Sequence, residues 1–286
     1  MFKFYLLALI LFVSPVLHVQ ENLEGLWRGA IINAYQDVES ADVIYIYIDS
    51  TDQLNGLARI EKLNSEDFAL KNFTGKIKND EIQIKEQYIK SSTHSRDAPK
   101  CKLDYNLKYN SETGYLKGSY ISSDCRNKVG EIILYRSEGD INTEKDPKAT
   151  HYWKYQFAAN YVKGYPAPEI LEKEKENFEF KPIYFDHDKS EIKPEFHEYL
   201  NKMAWIIDAI HDLRIKVIGH TDAVGTDAYN IGLSERRAKS IKAYFLSRGI
   251  EEDKLEIDFK GERMPIDTNK TPEGKQRNRR VDFEFI

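Results

Sequence analysis

Two residues near the C-terminus, one acidic and one basic, have the types and spacing that bind a zwitterion. Asp222 ends a predicted strand, and Arg237 lies fifteen residues later on the helix predicted to follow. A guanidinium binds a carboxylate through two parallel hydrogen bonds, a geometry that lysine cannot reproduce, and a carboxylate binds an ammonium group. The pair can therefore hold a ligand that carries both an amine and a carboxylate. An internal Asp222–Arg237 salt bridge that orders the strand-to-helix turn is the alternative interpretation.

Helical spacing places further polar side chains beside this arginine. Asn230, Ser234 and Arg237 are separated by four and then three residues, so they share one face of a helix predicted over residues 227–247. Leu233 belongs to the adjoining apolar stripe, which must face the sheet. Arg237 is therefore expected at the border of the core, and not in open solvent.

The elements that must position these residues alternate between strand and helix. Their order is predicted to be β-α-β-α-β-α-β, with helices packed on one mixed sheet. The predicted strands are 181–185, 214–218, 255–259 and 281–285, and the helices between them start near 194, 227 and 271.

Four motifs in this segment together resemble the OmpA-like peptidoglycan-binding domain, over residues 178–286. The resemblance implies non-catalytic binding of the diaminopimelate-containing stem peptide of peptidoglycan. The motifs are Gly219-His220-Thr221-Asp222, Asn230-x-x-Leu233-Ser234-x-x-Arg237-Ala238, Gly261-Glu262 and Asn278-Arg279-Arg280-Val281.

The same resemblance assigns roles to individual residues. It implies that Asp222 binds the amine at the D-centre of diaminopimelate and that Arg237 binds the adjoining carboxylate. Phe185 and Asp186, at the end of the first strand, match positions that line the same groove. The residues that complete or support this groove are expected to be Thr221, Asn230, Leu233, Ser234 and Arg280.

Other chemistry has weaker support in these residues. His220 has the type of a catalytic base, but no recognisable motif places a serine or cysteine nucleophile with it, so a structural histidine is expected. Asp186, His187 and Asp188 are adjacent and point in different directions, so no metal site is expected there. A net charge of −5 gives no reason to expect nucleic acid, which requires a basic face. No cofactor and no enzymatic activity are expected.

The first half of the chain has a different pattern of residues, typical of β-structure. From Leu23 to Ser137, short alternating strands are separated by Gly, Asn, Asp and Ser, which predicts an antiparallel β sandwich or small barrel. The fold class is therefore α+β with two domains. A membrane barrel is the alternative, but it needs strands of about ten residues with an uninterrupted apolar outward face, and charges enter most of these strands.

Three further features concern export and connection. Residues 1–20 have the positive charge and short apolar run of a signal peptide, while a transmembrane anchor, the alternative, needs about 20 apolar residues. In an exported chain, Cys101 and Cys125 are expected to form a disulfide across a hairpin, with two free thiols as the alternative. Residues 138–177 are predicted to be a linker with a short helix, because they are polar, turn-rich and then highly charged.

These features predict an exported envelope protein of a Gram-negative bacterium, located in the periplasm and associated with the outer membrane and cell wall. Residues 178–286 would bind peptidoglycan. Residues 21–137, a β-rich domain of unknown role, would bind an outer-membrane or envelope protein and so connect it to the wall. The alternatives are an integral outer-membrane β-barrel protein with a wall-binding tail, and a peptidoglycan-acting enzyme.

Overall fold

The computed structural model describes residues 23–141 and 151–286. The predicted signal peptide lies outside the described residues. Within these two ranges, no helix combines the length and the apolar character needed to cross a bilayer.

The N-terminal domain is a closed barrel of eight antiparallel strands, which resolves the choice between sandwich and barrel. Each strand pairs with the next along the chain, and the last pairs with the first, for example Gly29 with Leu134. The strands are β1 (Gly25–Asn33), β2 (Asp42–Ser50), β3 (Asn55–Glu61), β4 (Phe68–Lys78), β5 (Glu81–Ser92), β6 (Leu103–Asn110), β7 (Tyr115–Ser122) and β8 (Val129–Ser137).

The barrel buries an apolar core inside itself. Trp27, Ile44 and Phe73 belong to this core, and all three are essentially inaccessible to solvent. Because successive residues of a strand point to opposite faces, the outward positions are the alternating ones, and lysines such as Lys108 and Lys117 occupy several of them. Eight strands enclose a space that side chains can fill, and here mainly apolar side chains occupy it, together with the buried Lys71–Glu86 ion pair.

The predicted disulfide is present between Cys101 and Cys125, with their Cα atoms 5.7 Å apart. Cys101 precedes β6 and Cys125 follows β7, so the bond closes the open end of the β6–β7 hairpin. It joins the loop between β5 and β6 to the loop between β7 and β8.

Two helices follow the barrel, α1 (Tyr152–Val162) and α2 (Pro168–Glu176), where the sequence predicts one short helix within a linker. Phe157 of α1 is buried against aromatic residues on the outside of the barrel. On the C-terminal domain, the Asn160 side chain donates a hydrogen bond to the Ala209 carbonyl at 2.8 Å. Helix α1 therefore contacts both domains.

The C-terminal domain has the predicted order of elements and the predicted mixed sheet. The sheet order is β11-β10-β12-β9, in which only β10 and β11 are parallel. Its core combines side chains from the sheet and two helices, including Val217, Ile206 and Phe245. The elements are β9 (Ile183–Tyr184), α3 (His197–Ala209), β10 (Ile215–Gly219), α4 (Asp227–Ser247), β11 (Leu255–Phe259), α5 (Pro272–Asn278) and β12 (Arg280–Phe285).

Candidate functional site

A cavity of about 190 Å³ lies where β10 ends and α4 begins. Five of the residues predicted from the sequence line it: Thr221, Asp222, Asn230, Leu233 and Arg237. The remaining lining residues are His187, Asp188, Val224, Gly225, Tyr229 and Arg279.

The turn from β10 into α4 is built by local sequence. Gly225 has φ of +105°, a conformation that suits glycine, and the Thr226 hydroxyl accepts a hydrogen bond from the Tyr229 amide at 3.2 Å as an N-cap. Gly219 lets α4 approach the sheet, because a Cβ atom there would lie 2.0 Å from the Ser234 carbonyl oxygen. This close approach brings Arg237 over the end of the strand.

Arg237 is fully buried, and all three of its nitrogens donate to backbone carbonyls. Nε donates to Lys189 at 2.9 Å, Nη1 to His220 at 2.8 Å and Nη2 to Asp186 at 3.1 Å. The guanidinium also lies 5.3 Å from the centre of the Phe185 ring. Because a guanidinium has five N–H groups, two of them remain for a ligand.

The charge of Arg237 has no carboxylate bound to it among the described residues. Burial lowers its pKa to about 10, although the nearby Asp222 carboxylate opposes this shift. The side chain is therefore protonated at neutral pH. A buried cation that bonds only to neutral carbonyls favours an anionic group in the adjacent cavity, which would supply the missing counter-charge.

Asp222 forms its ion pair with Arg279, which replaces the alternative of an Asp222–Arg237 salt bridge. Its Oδ2 atom lies 2.7 Å from Arg279 Nη1, and both side chains are largely buried. Its Oδ1 atom accepts a hydrogen bond from the Val224 amide at 3.1 Å. Each carboxylate oxygen has two lone pairs, so Asp222 retains acceptor capacity for an ammonium group.

Arg280, expected to complete or support the groove, does not line the cavity, whereas its neighbour Arg279 does. Arg280 begins β12 and bonds Asp282 at 2.8 Å and the Met264 carbonyl at 3.3 Å, away from the cavity. Arg279 lies between α5 and β12, and its Nε atom donates to the Phe185 carbonyl at 3.3 Å. Consecutive residues at a strand start point in opposite directions, so only one of the two can face the site.

Phe185, Asp186 and Ser234 support the site without lining the cavity. Phe185 and Asp186 contribute backbone carbonyls that bind Arg279 and Arg237. The Asp186 carboxylate itself is exposed and pairs with Lys193 at 2.7 Å, and this hydrogen bond lowers its pKa. The Ser234 hydroxyl fastens α4 to the next loop by accepting from the Gly261 amide at 3.0 Å.

The sequence did not predict several of the residues that line the cavity. The Tyr229 hydroxyl donates to the Asp188 carboxylate across the cavity mouth, while Asp186 points to Lys193, so these two acids diverge. His220 Nε2 lies 3.3 Å from an Asp282 carboxylate oxygen, as expected of a structural histidine. Only contacts between segments distant in sequence reveal these arrangements.

Comparison with known proteins identifies the family of the C-terminal domain. The model of the OmpA family matches residues 184–279. Outer membrane protein A of Bordetella avium is 48% identical over 103 residues, which cover 36% of this chain and 53% of that protein. Peptidoglycan-binding protein ArfA of Mycobacterium tuberculosis is 39% identical over 102 residues, which cover 36% of this chain and 31% of that protein. The chain thus spans about half or less of these relatives.

Among solved structures, the chain is similar to the peptidoglycan-associated lipoprotein from Burkholderia pseudomallei. It is 24% identical, with a TM-score of 0.37, and the match covers 37% of this chain and 90% of that one.

Proposed function

We propose that this chain, whose residues 184–279 form an OmpA family domain, is a non-catalytic envelope protein that binds peptidoglycan at the cavity between Asp222 and Arg237. One observation carries the proposal. Arg237 is a buried, protonated guanidinium that bonds only backbone carbonyls, and it lines a cavity that also contains a carboxylate. Such a cavity offers an anion site and a cation site side by side.

The ligand that fits this arrangement is the D-centre of diaminopimelate in a peptidoglycan stem peptide. Its carboxylate would bind the two remaining N–H groups of Arg237, and its ammonium would bind Asp222, which Arg279 holds in position. Pockets for drug-sized ligands occupy about 300 Å³ or more, so a cavity of about 190 Å³ suits a head group alone. The rest of the stem peptide would lie outside it.

For the barrel, we propose a position in water beside an envelope partner, and not within a membrane. A transmembrane barrel has an apolar outward face and a polar interior. In this barrel the interior is mainly apolar, with one buried ion pair between Lys71 and Glu86, and outward positions include Lys76, Lys85 and Lys108, which are exposed. This distribution favours a periplasmic protein over an integral outer-membrane protein with a wall-binding tail.

A binding role is also favoured over catalysis on the wall. Neither serine nor cysteine is among the described residues that line the cavity. Its two carboxylates, Asp188 and Asp222, are hydrogen-bonded to Tyr229 and Arg279. Incubation of the protein with purified sacculi should therefore release no soluble muropeptides, whereas release would favour an enzyme.

Calorimetric titration of residues 21–286 with a diaminopimelate-containing stem peptide tests the proposal. The matched ligand is a stem peptide with lysine in place of diaminopimelate, which keeps the amine but lacks the D-centre carboxylate. We expect the diaminopimelate peptide to bind at least about 30-fold more tightly, because truncating a buried charge pair costs about 2 kcal/mol or more. Equal affinities for the two peptides would overturn the assignment.

Variants then identify the protein groups. Arg237→Lys keeps the positive charge but loses the forked geometry, and Asp222→Asn keeps the shape but loses the negative charge, so both should weaken binding about 30-fold or more. Arg236→Lys is the control, because Arg236 is exposed on the same helix. Thermal unfolding of each variant separates loss of the site from loss of the fold. Unchanged affinity in folded Arg237→Lys would contradict the proposed role.

A further inference from the structure

We propose that one corner of the barrel docks on an anionic lipid surface. The basic rim, as we term it, consists of residues 90–102 and 123–128, two of the four loops at one end of the barrel together with the last residues of β5. The other two loops at this end, residues 34–41 and 62–67, contain Asp37, Glu39, Glu66 and Asp67 against Lys62, so the positive charge is confined to one side of this end. This inference is independent of the wall-binding site. The rim contains six basic residues, Lys90, Arg96, Lys100, Lys102, Arg126 and Lys128, against two acidic ones, Asp97 and Asp124, in a chain with a net charge of −5.

The basic charges are presented to solvent. Arg96, Lys100, Arg126 and Lys128 are exposed, and none of them forms a salt bridge with another residue of the described ranges. Asp124 is occupied within the rim, because its carboxylate accepts from the Lys102 amide at 2.8 Å. With six basic and two acidic residues, the rim carries four net positive charges, which attract anionic head groups at a membrane surface.

The two loops of the rim form one fixed surface. The Cys101–Cys125 disulfide joins them, and the Ser123 amide donates to the Lys102 carbonyl at 3.1 Å. Beneath them, the buried Lys71 ammonium donates to the Cys101 carbonyl at 2.6 Å. Because the loops are already ordered, docking would cost little conformational entropy.

Apolar side chains adjoin the positive charges. Ile121 and Val129 face each other across β7 and β8, on either side of the 123–128 loop, and they are 57% and 43% exposed. On β5, just before the other loop, Tyr88 is 60% exposed. A surface that combines basic and apolar groups suits the boundary between head groups and acyl chains, whereas a soluble polyanion would need only the charges.

The opposite end of the barrel is acidic. Its turns, residues 51–54, 79–80 and 111–114, contain Asp52, Asp80 and Glu112 and no lysine or arginine. An anionic surface would therefore repel this end and orient the barrel with the rim toward the lipid.

The chain leaves the barrel toward this acidic end. Helix α1 begins beside Glu61, at the rim end of the barrel, and runs along the outside to the opposite end, where the Ala167 amide, just before α2, donates to the Thr113 carbonyl in the β6–β7 turn. The rim and the exit to the wall-binding domain thus lie at opposite ends of the barrel. Contact of the rim with a membrane would leave that domain facing away from it.

Vesicle co-sedimentation of residues 21–286, the chain without its predicted signal peptide, tests the inference. The vesicles are an equimolar mixture of phosphatidylglycerol and phosphatidylcholine, with pure phosphatidylcholine for comparison. The rim variant is Lys100→Glu/Arg126→Glu/Lys128→Glu. Its matched control is Lys76→Glu/Lys78→Glu/Lys108→Glu, which makes the same change in net charge with exposed lysines nearer the acidic end.

We expect binding to the anionic vesicles that fails with pure phosphatidylcholine and is lost at 0.5 M salt, where charges are screened within a few ångströms. A basic residue near the surface contributes roughly fivefold to partitioning, so the rim variant should bind on the order of 100-fold more weakly. Ile121→Ser, which changes no charge, should weaken binding several-fold. The control variant should retain most of its binding.

Three results would overturn the inference. They are equal binding to both kinds of vesicle, equal losses in the rim and control variants, and binding to soluble heparin without binding to vesicles. Co-sedimentation of the rim variant with peptidoglycan sacculi reports wall binding separately, so a failure of lipid binding is distinguishable from a failure of the proposed function. If the rim variant does not fold, Ile121→Ser and the salt dependence still decide the outcome.

Discussion

The Lys71–Glu86 ion pair inside the barrel allows a quantitative test of how buried charges affect the stability of the barrel. Lys71 Nζ lies 2.8 Å from Glu86 Oε2, and both side chains are completely buried. Glu86 also accepts hydrogen bonds from the Leu103 amide at 2.8 Å and from the Tyr105 hydroxyl. Lys71 reaches the Cys101 carbonyl as well. Every charged atom of the pair therefore has partners that water cannot replace without opening the barrel.

Removing one member of the pair should cost far more than removing both. Lys71→Met strands a buried carboxylate and Glu86→Gln strands a buried ammonium, and each should lower the free energy of unfolding by about 3–5 kcal/mol. The double variant strands no charge, and its glutamine can accept from the Leu103 amide through its one oxygen and donate to the Tyr105 hydroxyl through its NH2 group. It should cost about 1–3 kcal/mol for the remaining unpaired groups. The coupling energy is therefore expected to be at least about 3 kcal/mol.

The single variants should also differ in their dependence on pH. Burial raises the pKa of Glu86, although the ammonium of Lys71 and its hydrogen bonds oppose the shift, and Lys71→Met removes that opposition. Between the unfolded carboxyl pKa of about 4.3 and the raised folded value, the native state binds more protons than the unfolded state. Stability falls as pH rises through that window, by up to about 1.4 kcal/mol per pH unit. Lys71→Met should therefore be less destabilising at pH 5 than at pH 8.

Urea unfolding followed by circular dichroism at both pH values, with the disulfide intact, measures these quantities. Lys76→Met, an exposed lysine in the same strand, is the control and should change the free energy by no more than about 0.5 kcal/mol. Single variants that cost less than about 1 kcal/mol, or costs that simply add in the double variant, would refute the reasoning.

Three other substitutions should change the free energy of unfolding, one by raising it and two by lowering it. Thr221→Val removes a buried hydroxyl that has no hydrogen-bond partner among the described residues, so urea unfolding should show a gain of about 1 kcal/mol, and a loss would contradict this. Lys254→Met removes an ammonium that caps α3 through the Ile207 and Ile210 carbonyls at 2.7 and 3.0 Å, so stability should fall by about 1.5–3 kcal/mol and amide exchange should rise at that helix end. Replacing both cysteines by alanine should lower the free energy of unfolding by roughly 3 kcal/mol, as measured in denaturant. Reducing the disulfide of the unsubstituted protein should lower it by a similar amount.

The sequence predicted the C-terminal fold well because its signals are local. Strand alternation at Ile215–Gly219, the Thr226 cap and the apolar stripe of α4 each depend on residues within a few positions of one another. Barrel closure is different. It depends on pairing between β1 and β8, more than a hundred residues apart, and the same alternating strands satisfy a sandwich equally well. Alternation alone therefore left the choice open.

The candidate site was predicted in outline, and its internal pairing was not. Asp222 and Arg237 line one cavity, as their spacing indicated, but the cation bound to Asp222 is Arg279, which comes from a segment 57 residues away. A motif that contains two adjacent arginines does not say which one faces the ligand. That choice depends on where α5 ends and β12 begins, and secondary-structure boundaries are the least certain part of a sequence-based prediction.

The two proposals together give the barrel a mechanical role. Its strands average about nine residues, with a rise of roughly 3.3 Å per residue, so with a tilt near 40° the two ends of the barrel lie roughly 23 Å apart. The basic rim lies at one end, and the chain leaves from the other through α1, which is fastened to the barrel by Phe157 and to the C-terminal domain by Asn160. Contacts on both sides of one helix restrict rotation between the domains. A molecule built this way would hold the wall-binding cavity at a set distance from a lipid surface, which a flexible linker would not do.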